Sequence, residues 1–286
     1  MNKHLIEMEN VSVTVKGKKI LKKITCKIPI IPGVIGLIGP NGAGKTTFIL
    51  TLLNQYKYNG LCNTFSLDEI GYCADTPNFD SFMTAEEVIR QSANLKGVKI
   101  KAQEVKSLLH DVGLAKNHKN YVENFSRGMK QRLGIATAMV GSPRIIFLDE
   151  PTSALDPIGR ETILNLIEKL SSRTTVIVSS HLLNDVQKIS KALIVLNRGN
   201  LIFEGTKNKF ITRYNKESVF TFNDSLTVTN VLKKNNLSFI QEGENKIKVN
   251  QRDFDKVLEL VESRYIEKAE RNLDLNSIFF KLVNGG

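Results

Sequence analysis

The stretch Gly39-Pro40-Asn41-Gly42-Ala43-Gly44-Lys45-Thr46-Thr47 narrows the folds open to this chain more than any other. Its glycine and Lys-Thr spacing is that of a phosphate-binding loop. An apolar run, GVIGLIG, leads into it, and GKTTFILTLL follows, where the apolar period lengthens from two toward about 3.6 residues. That is strand, loop and helix in order, the context the loop pattern needs. In such a loop the glycines let backbone N–H groups converge on one anion, the helix N-terminus adds positive potential, and Lys45 brings a full charge. Thr46 offers a hydroxyl to Mg²⁺. Gly39 through Thr47 are therefore the expected phosphate cradle.

Two further buried-strand signals complete a candidate site. RIIFLDE ends in Asp149 and Glu150. Coupled to the loop, Asp149 is placed to reach the metal and Glu150 to polarise a water for attack on a γ-phosphate. TTVIVSSH brings His181 to the same carboxyl edge of the sheet, where it can hydrogen-bond the γ-phosphate and hold that water. A second anion-holding feature lies between them. In NFSRGMKQRL, Ser126 and Gly128 open a periodic, basic helix. The chain already has a better cradle upstream, so the residues alone leave open whose phosphate this second one serves.

Around these motifs the chain reads as two parts. HLIEMENVSVTV and KKILKKITCKI alternate as strands, and Thr84-Ala85-Glu86-Glu87 forms a capping box that starts a helical block. Asp156 and Pro157 make a cap and first position for the helix after Glu150. Strand signals KALIVLN and NLIFEG close the first part, residues 1–205, with its helical block at about 76–140. Residues 206–286 read as strand, helix, two strands and helix, a small α+β appendage without recognisable chemistry.

Composition excludes several classes. The 286 residues are 41% hydrophobic, enough for one large core and a smaller one. Basic residues exceed acidic ones, 40 to 29, a net +11 that admits anionic partners of any kind. No arginine-rich arm or aromatic-studded basic strand accompanies that charge, so no nucleic acid is expected. Cys26, Cys62 and Cys73 are scattered and not spaced as metal ligands, which suits reduced thiols in a cytosolic compartment. The longest charge-free stretch, Ile28 to Gly44, is interrupted by prolines and glycines, whereas a spanning helix needs about 20 apolar residues. Glu7 and Glu9 stand where a secretory leader would need its apolar region.

Phosphate loop, then Ser-x-Gly ahead of MKQRLGIA, then IIFLDEPTSALD, then histidine: in that order the motifs resemble the nucleotide-binding subunit of an ABC transporter. The likeness spans about Leu5 to Gly205, and the tail LNSIFFKLVNGG is similar to the last helix of single-domain exporter ATPases. The resemblance implies a P-loop NTPase with a mixed central sheet, an antiparallel β lobe and a helical subdomain, plus the small C-terminal α+β domain. It implies ATP and Mg²⁺ as ligands, and a transmembrane permease as partner at the cytoplasmic face of the membrane. It also implies a second ATP-binding subunit, identical or a close paralogue. It answers the question of the second cradle: Ser126 and Gly128 of one chain would hold the γ-phosphate lying on the other chain's Gly39 to Thr47 loop. Asp156 matches the loop that couples the two sites. The tail and the Ser-x-Gly-Met pattern lean toward export of a peptide, antibiotic or other amphipathic substrate.

Several positions depart from the family pattern. Arg127 stands for the signature's first glycine and Met129 for its glutamine. Asp75 occupies the place of the loop glutamine that touches Mg²⁺, and its carboxylate could reach the metal directly or through water. Val15 replaces the aromatic residue that stacks on adenine, so a preference for ATP over GTP is not secured. Tyr56 to Ile70 is short, which predicts a small nucleotide-side lobe. Phe79, Phe82 and Met83 read either as helical-subdomain core or as an apolar groove for a permease helix. Three rivals stay open: a soluble ABC ATPase of translation or DNA maintenance, a P-loop GTPase or kinase, and a regulatory module disabled by Arg127. A single phosphate loop, no sustained heptads and no Asn-Lys-x-Asp motif weigh against the first two.

Overall fold

Strands β1 (Leu5–Val15) and β2 (Lys18–Pro29) alternate, but neither strictly. In β1 the inward set Ile6 and Met8 resumes at Val11 and Val13, one residue out of phase. Asn10, at φ 52°, absorbs the extra residue as a bulge, and Lys23 at φ 51° does the same between Leu21 and Ile24. Both bulges keep the apolar residues on one face. The computed structural model describes residues 5–214, 217–271 and 275–284. The chain divides into two compact units, Met1–Lys207 and Asn208–Gly286.

In the first unit the chain continues through β3 (Gly33–Ile38), α1 (Lys45–Leu52), β4 (Asn59–Asn63) and β5 (Ile70–Cys73). The helices α2 (Ala85–Leu95), α3 (Ala102–Asp111) and α4 (Arg127–Met139) follow. The rest of the unit is β6 (Ile145–Asp149), α5 (Pro157–Ser171), β7 (Thr175–Ser180), α6 (Leu183–Ile189), β8 (Ala192–Asn197) and β9 (Asn200–Thr206). Six strands form the central sheet in the order β5-β6-β7-β3-β8-β9, parallel except for the antiparallel β9. A separate antiparallel sheet, β2-β1-β4, is the small β lobe. The fold is thus the expected mixed α/β one.

Every residue of β3, β6 and β7 is buried, as strands covered on both faces should be. Alternate residues serve two cores. Val34, Ile146, Leu148, Val176 and Val178 join the core under the α2–α5 helices, while Ile35, Leu37, Phe147 and Ile177 join the one under α1 and the β lobe. Thr84 caps α2 as the sequence suggests: its hydroxyl accepts from Glu87 N–H at 3.3 Å, and Glu87 Oε2 accepts from Thr84 N–H at 2.7 Å. Helix α4 lies hard against β5. A Cβ on Gly71 would stand 2.2 Å from the Ala138 carbonyl oxygen, and one on Gly134 would stand 2.8 Å from Cys73 Sγ. That contact sets where the start of α4, and so Ser126, is presented.

After α7 (Lys207–Tyr214) the second unit comprises β10 (Glu217–Phe222), α8 (Ser225–Lys234), β11 (Phe239–Gln241), β12 (Lys246–Asn250), α9 (Phe254–Leu260), β13 (Ile266–Arg271) and α10 (Leu275–Asn284). Its antiparallel sheet has the order β11-β12-β10-β13, with Phe220, Phe222, Ile247 and Val249 packed against Val228 and Leu232 of α8 and Val257 of α9. Among the described residues, no helix is long and apolar enough to cross a membrane.

All three thiols are free. Burial pushes Cys26 and Cys73 up to about 12, helped at Cys73 by the fields of Asp149 and Asp75, and pushes Cys62 up to about 11. Since the thiolate is the nucleophile, iodoacetamide at pH 8 should label native protein slowly, Cys62 first, and all three quickly in denaturant. Fast native labelling of Cys73, followed by mass spectrometry, would contradict this burial. The unfolded chain, with thiols near 9.0, releases these protons first as pH rises, so folding stability falls between that value and about 12.

Candidate active site

The cradle is built by close backbone approach. Gly42 and Gly44 take φ 77° and 105°, the left-handed region open to glycine. A Cβ on Gly39 would lie 2.4 Å from the Leu196 carbonyl oxygen of β8. The loop is pinned on both sides: Ala43 N–H donates to Pro40 O at 3.0 Å, and Gly199 N–H in the β8–β9 turn donates to Ala43 O at 3.0 Å. Helix α1 starts at Lys45 with Gly44 as a cap that has no side chain to offer, and its first turn carries no acidic residue. Its leading N–H groups therefore lack a side-chain acceptor, as an anion-binding helix start requires. A polyphosphate fits this cradle.

Lys45 is buried, and its ammonium is held inside the loop. Nζ donates to Gly39 O at 2.9 Å and lies 3.1 Å from Glu150 Oε1. Glu150 directly follows β6 and sits at φ 47°, a conformation that a non-glycine residue holds only when its surroundings impose it. The neighbouring strand imposes it. Glu150 N–H donates to Ser179 Oγ at 2.9 Å and Ser179 O at 3.1 Å, and the Ser179 hydroxyl donates to Asp149 Oδ1. On the other side, His181 Nδ1 lies 2.7 Å from Glu150 Oε2, and His181 N–H donates to the same oxygen at 3.3 Å. Lys45, Glu150 and His181 thus form one line along the carboxyl edge of the sheet, with buried Asp149 behind it.

Among the described residues, no group of three or more His, Cys, Asp or Glu could hold a metal ion by itself. The donor set here is one buried carboxylate, Asp149, and the Thr46 hydroxyl in the cradle wall. That fits Mg²⁺, which keeps water and shares phosphate oxygens instead of needing an all-protein cage. Asp75 follows β5, whose Cys73 pairs in parallel with Leu148 of β6, so it leaves the sheet at the same edge as Asp149.

Ser126, Gly128 and Asp156 lie elsewhere. They line one shallow cavity, while Asn41 to Thr47 and Glu150 line another. The Ser126 hydroxyl accepts from Met129 N–H at 3.2 Å and so caps α4; Asp156 caps α5, accepting from Gly159 N–H at 3.0 Å. Within one chain the Asn41 to Thr47 segment and the Ser126 and Gly128 pair line separate cavities.

The family model described as ABC transporter matches residues 28–153. The bacitracin transport ATP-binding protein BcrA of Enterococcus faecalis is 32% identical over 242 residues, spanning 80% of this chain and 78% of that one. This chain is an ABC transporter ATP-binding protein. Members of this family hydrolyse ATP to drive transport. The lantibiotic transport ATP-binding protein SrtF of Streptococcus pyogenes is 32% identical over 209 residues, 70% of this chain and 90% of its own. In fold, a solved ATP-binding subunit of an ABC transporter superposes with a TM-score of 0.64 at 23% identity, covering 73% of this chain and 93% of that one.

For an ABC protein, two unusual positions face each other. The Asp75 carboxylate Oδ1 is buried without a hydrogen-bond partner among the described residues, and the Arg127 guanidinium lies 3.9 Å from it. Both side chains are about half exposed, so the pair is weak. Phe79 and Met83 pack on the helical core, while Phe82 points outward at 78% exposure. Sequence reasoning missed Ser179, the hydroxyl that ties Asp149 to the Glu150 backbone. Its only signal was its place two residues before His181, at the end of a buried strand.

Proposed function

We propose that this chain is the ATP-hydrolysing subunit of a transporter, working as a dimer beneath a separate transmembrane permease at the cytoplasmic face of the membrane. The observation that supports the reading is the division just described: the cradle, with Lys45, Glu150 and His181 beside it, and the Ser126, Gly128 and Asp156 surface line different cavities of one chain. The names of the bacitracin and lantibiotic relatives support a peptide antibiotic or other amphipathic molecule as cargo, and the tail and the Ser-x-Gly-Met pattern favour outward movement.

In this reading the N–H groups of Gly42 to Thr47 and the Lys45 ammonium hold the β- and γ-phosphates of ATP. Thr46, Asp149 and Asp75 would hold Mg²⁺, Asp75 directly or through water, and the ion would supply neutralisation of charge on the phosphate oxygens. Glu150 orients the attacking water and takes its proton, and His181, already against Glu150, fixes that carboxylate and reaches toward the γ-phosphate. Ser126 and Gly128 of the second subunit close the site, and Asp156 lies beside them at that face. Loss of the γ-phosphate removes the charge that bridges the two helix starts, so hydrolysis loosens the dimer. Phe82 is the apolar contact offered to a permease helix.

Mixing variants tests the shared site. Lys45→Ala and Ser126→Ala chains should each be nearly inactive, yet a mixture should recover turnover, because one of its two sites joins an intact cradle to an intact Ser126. Turnover per chain should also rise with protein concentration. No recovery on mixing, with a rate per chain independent of concentration, would refute the composite site.

A further inference from the structure

Beyond the cradle, the lip of the nucleotide cavity is formed by Lys18, Lys19, Ile20, Lys22 and Arg198. It contains no aromatic ring. Val15, at the position where an adenine-stacking ring was expected, packs against the core under α1 and the β lobe and does not line the cavity. The four cations are exposed, and among the described residues none has a carboxylate at salt-bridge distance; the acidic side chain in the cavity, Glu150, is taken by Lys45. Their backbone is fixed. Lys22 N–H donates to Gly199 O at 2.8 Å, and a Cβ on Gly199 would stand 2.1 Å from Ile20 O, so the β8–β9 turn bearing Arg198 is clamped between β2 and the cradle. Gathering like charges without counterions is unfavourable until an anion arrives.

We propose that this cationic collar, Lys18, Lys19, Lys22 and Arg198, holds nucleoside triphosphates by charge and admits guanine as readily as adenine. The inference rests on the nucleotide-binding reading of the cradle and specifies its substrate class. Two physical points carry it. Without a ring to stack on, no shape or dispersion term ranks one purine above the other. And the collar's side chains are donors only, so none of them can accept from the N6 amino group that marks adenine or from the N1 and N2 donors that mark guanine, while each purine offers them acceptors.

Titration calorimetry of the full chain with Mg²⁺ and either ATP or GTP tests it. The two dissociation constants should agree within about tenfold, equivalent to ~1.4 kcal/mol. The double variant Lys18→Glu/Lys19→Glu should weaken both nucleotides at least about tenfold with their ratio and the melting temperature unchanged. A discrimination above tenfold in either direction, or charge reversal that leaves both affinities intact, would overturn the collar. Failure of the wild-type chain to bind either nucleotide would instead overturn the cradle reading beneath it.

Discussion

Glu150→Gln lowers ATP turnover at least about a hundredfold while nucleotide affinity stays equal or tightens. The first effect follows from removing the carboxylate proposed to take the water's proton, a role worth about 10²–10⁴ in rate. The second follows from Lys45. Its buried ammonium now lies 3.1 Å from Glu150 Oε1 and must exchange that partner for phosphate. A neutral amide competes less and repels phosphate less, so ATP meets a weaker rival for the same cation. Consequently the variant should accumulate an ATP-bound dimer that wild type forms only briefly. Phosphate release and light scattering with Mg-ATP measure the two effects. Equal turnover in variant and wild type would remove Glu150 from the mechanism.

Gly71→Ala should cost about 1–3 kcal/mol through overpacking, and lower the melting temperature by about 2–4 °C for each kcal/mol. The obstacle is not a side chain that can rotate away. The added Cβ would meet the Ala138 carbonyl oxygen at 2.2 Å, its carbon at 3.0 Å and Ile146 Cγ1 at 3.1 Å, so α4 itself must lift from β5. Because Ser126 caps that helix, turnover should fall even below the melting transition. Gly128→Ala is the control for stability: its new Cβ would meet only Leu155 Cδ2, at 3.8 Å, and should leave the melting temperature unchanged. Equal thermal midpoints for both variants would contradict the close packing of α4 on β5.

Much of the site was readable because its pieces are local. The cradle is one continuous segment; Asp149 and Glu150 end one buried strand and His181 follows another, and in sheets of this class such strand ends meet at the carboxyl edge. Strand β13 shows the opposite case. Ile-Glu-Lys-Ala-Glu-Arg carries almost no apolar alternation, and it is a strand because β10 supplies its hydrogen-bond partners at the sheet edge. The split roles of Phe79, Phe82 and Met83 were equally hidden, since neighbouring positions on a loop have no period to assign faces.

By itself the sequence determined the α/β class, the glycine-rich loop between strand and helix, and the carboxylate pair ending a buried strand, since each depends on residues adjacent along the chain. Only the tertiary structure decided the strand order β5-β6-β7-β3-β8-β9, the tie from Asp149 through Ser179 to Glu150, and the seating of α4 on β5. It likewise brought Arg198 against the lysines of β2 and set Asp75 opposite Arg127. The physical reason is that periodicity records which face of an element is buried but not what covers it. Partners far apart in the chain are selected by close packing and hydrogen-bond satisfaction, which act only once the elements meet.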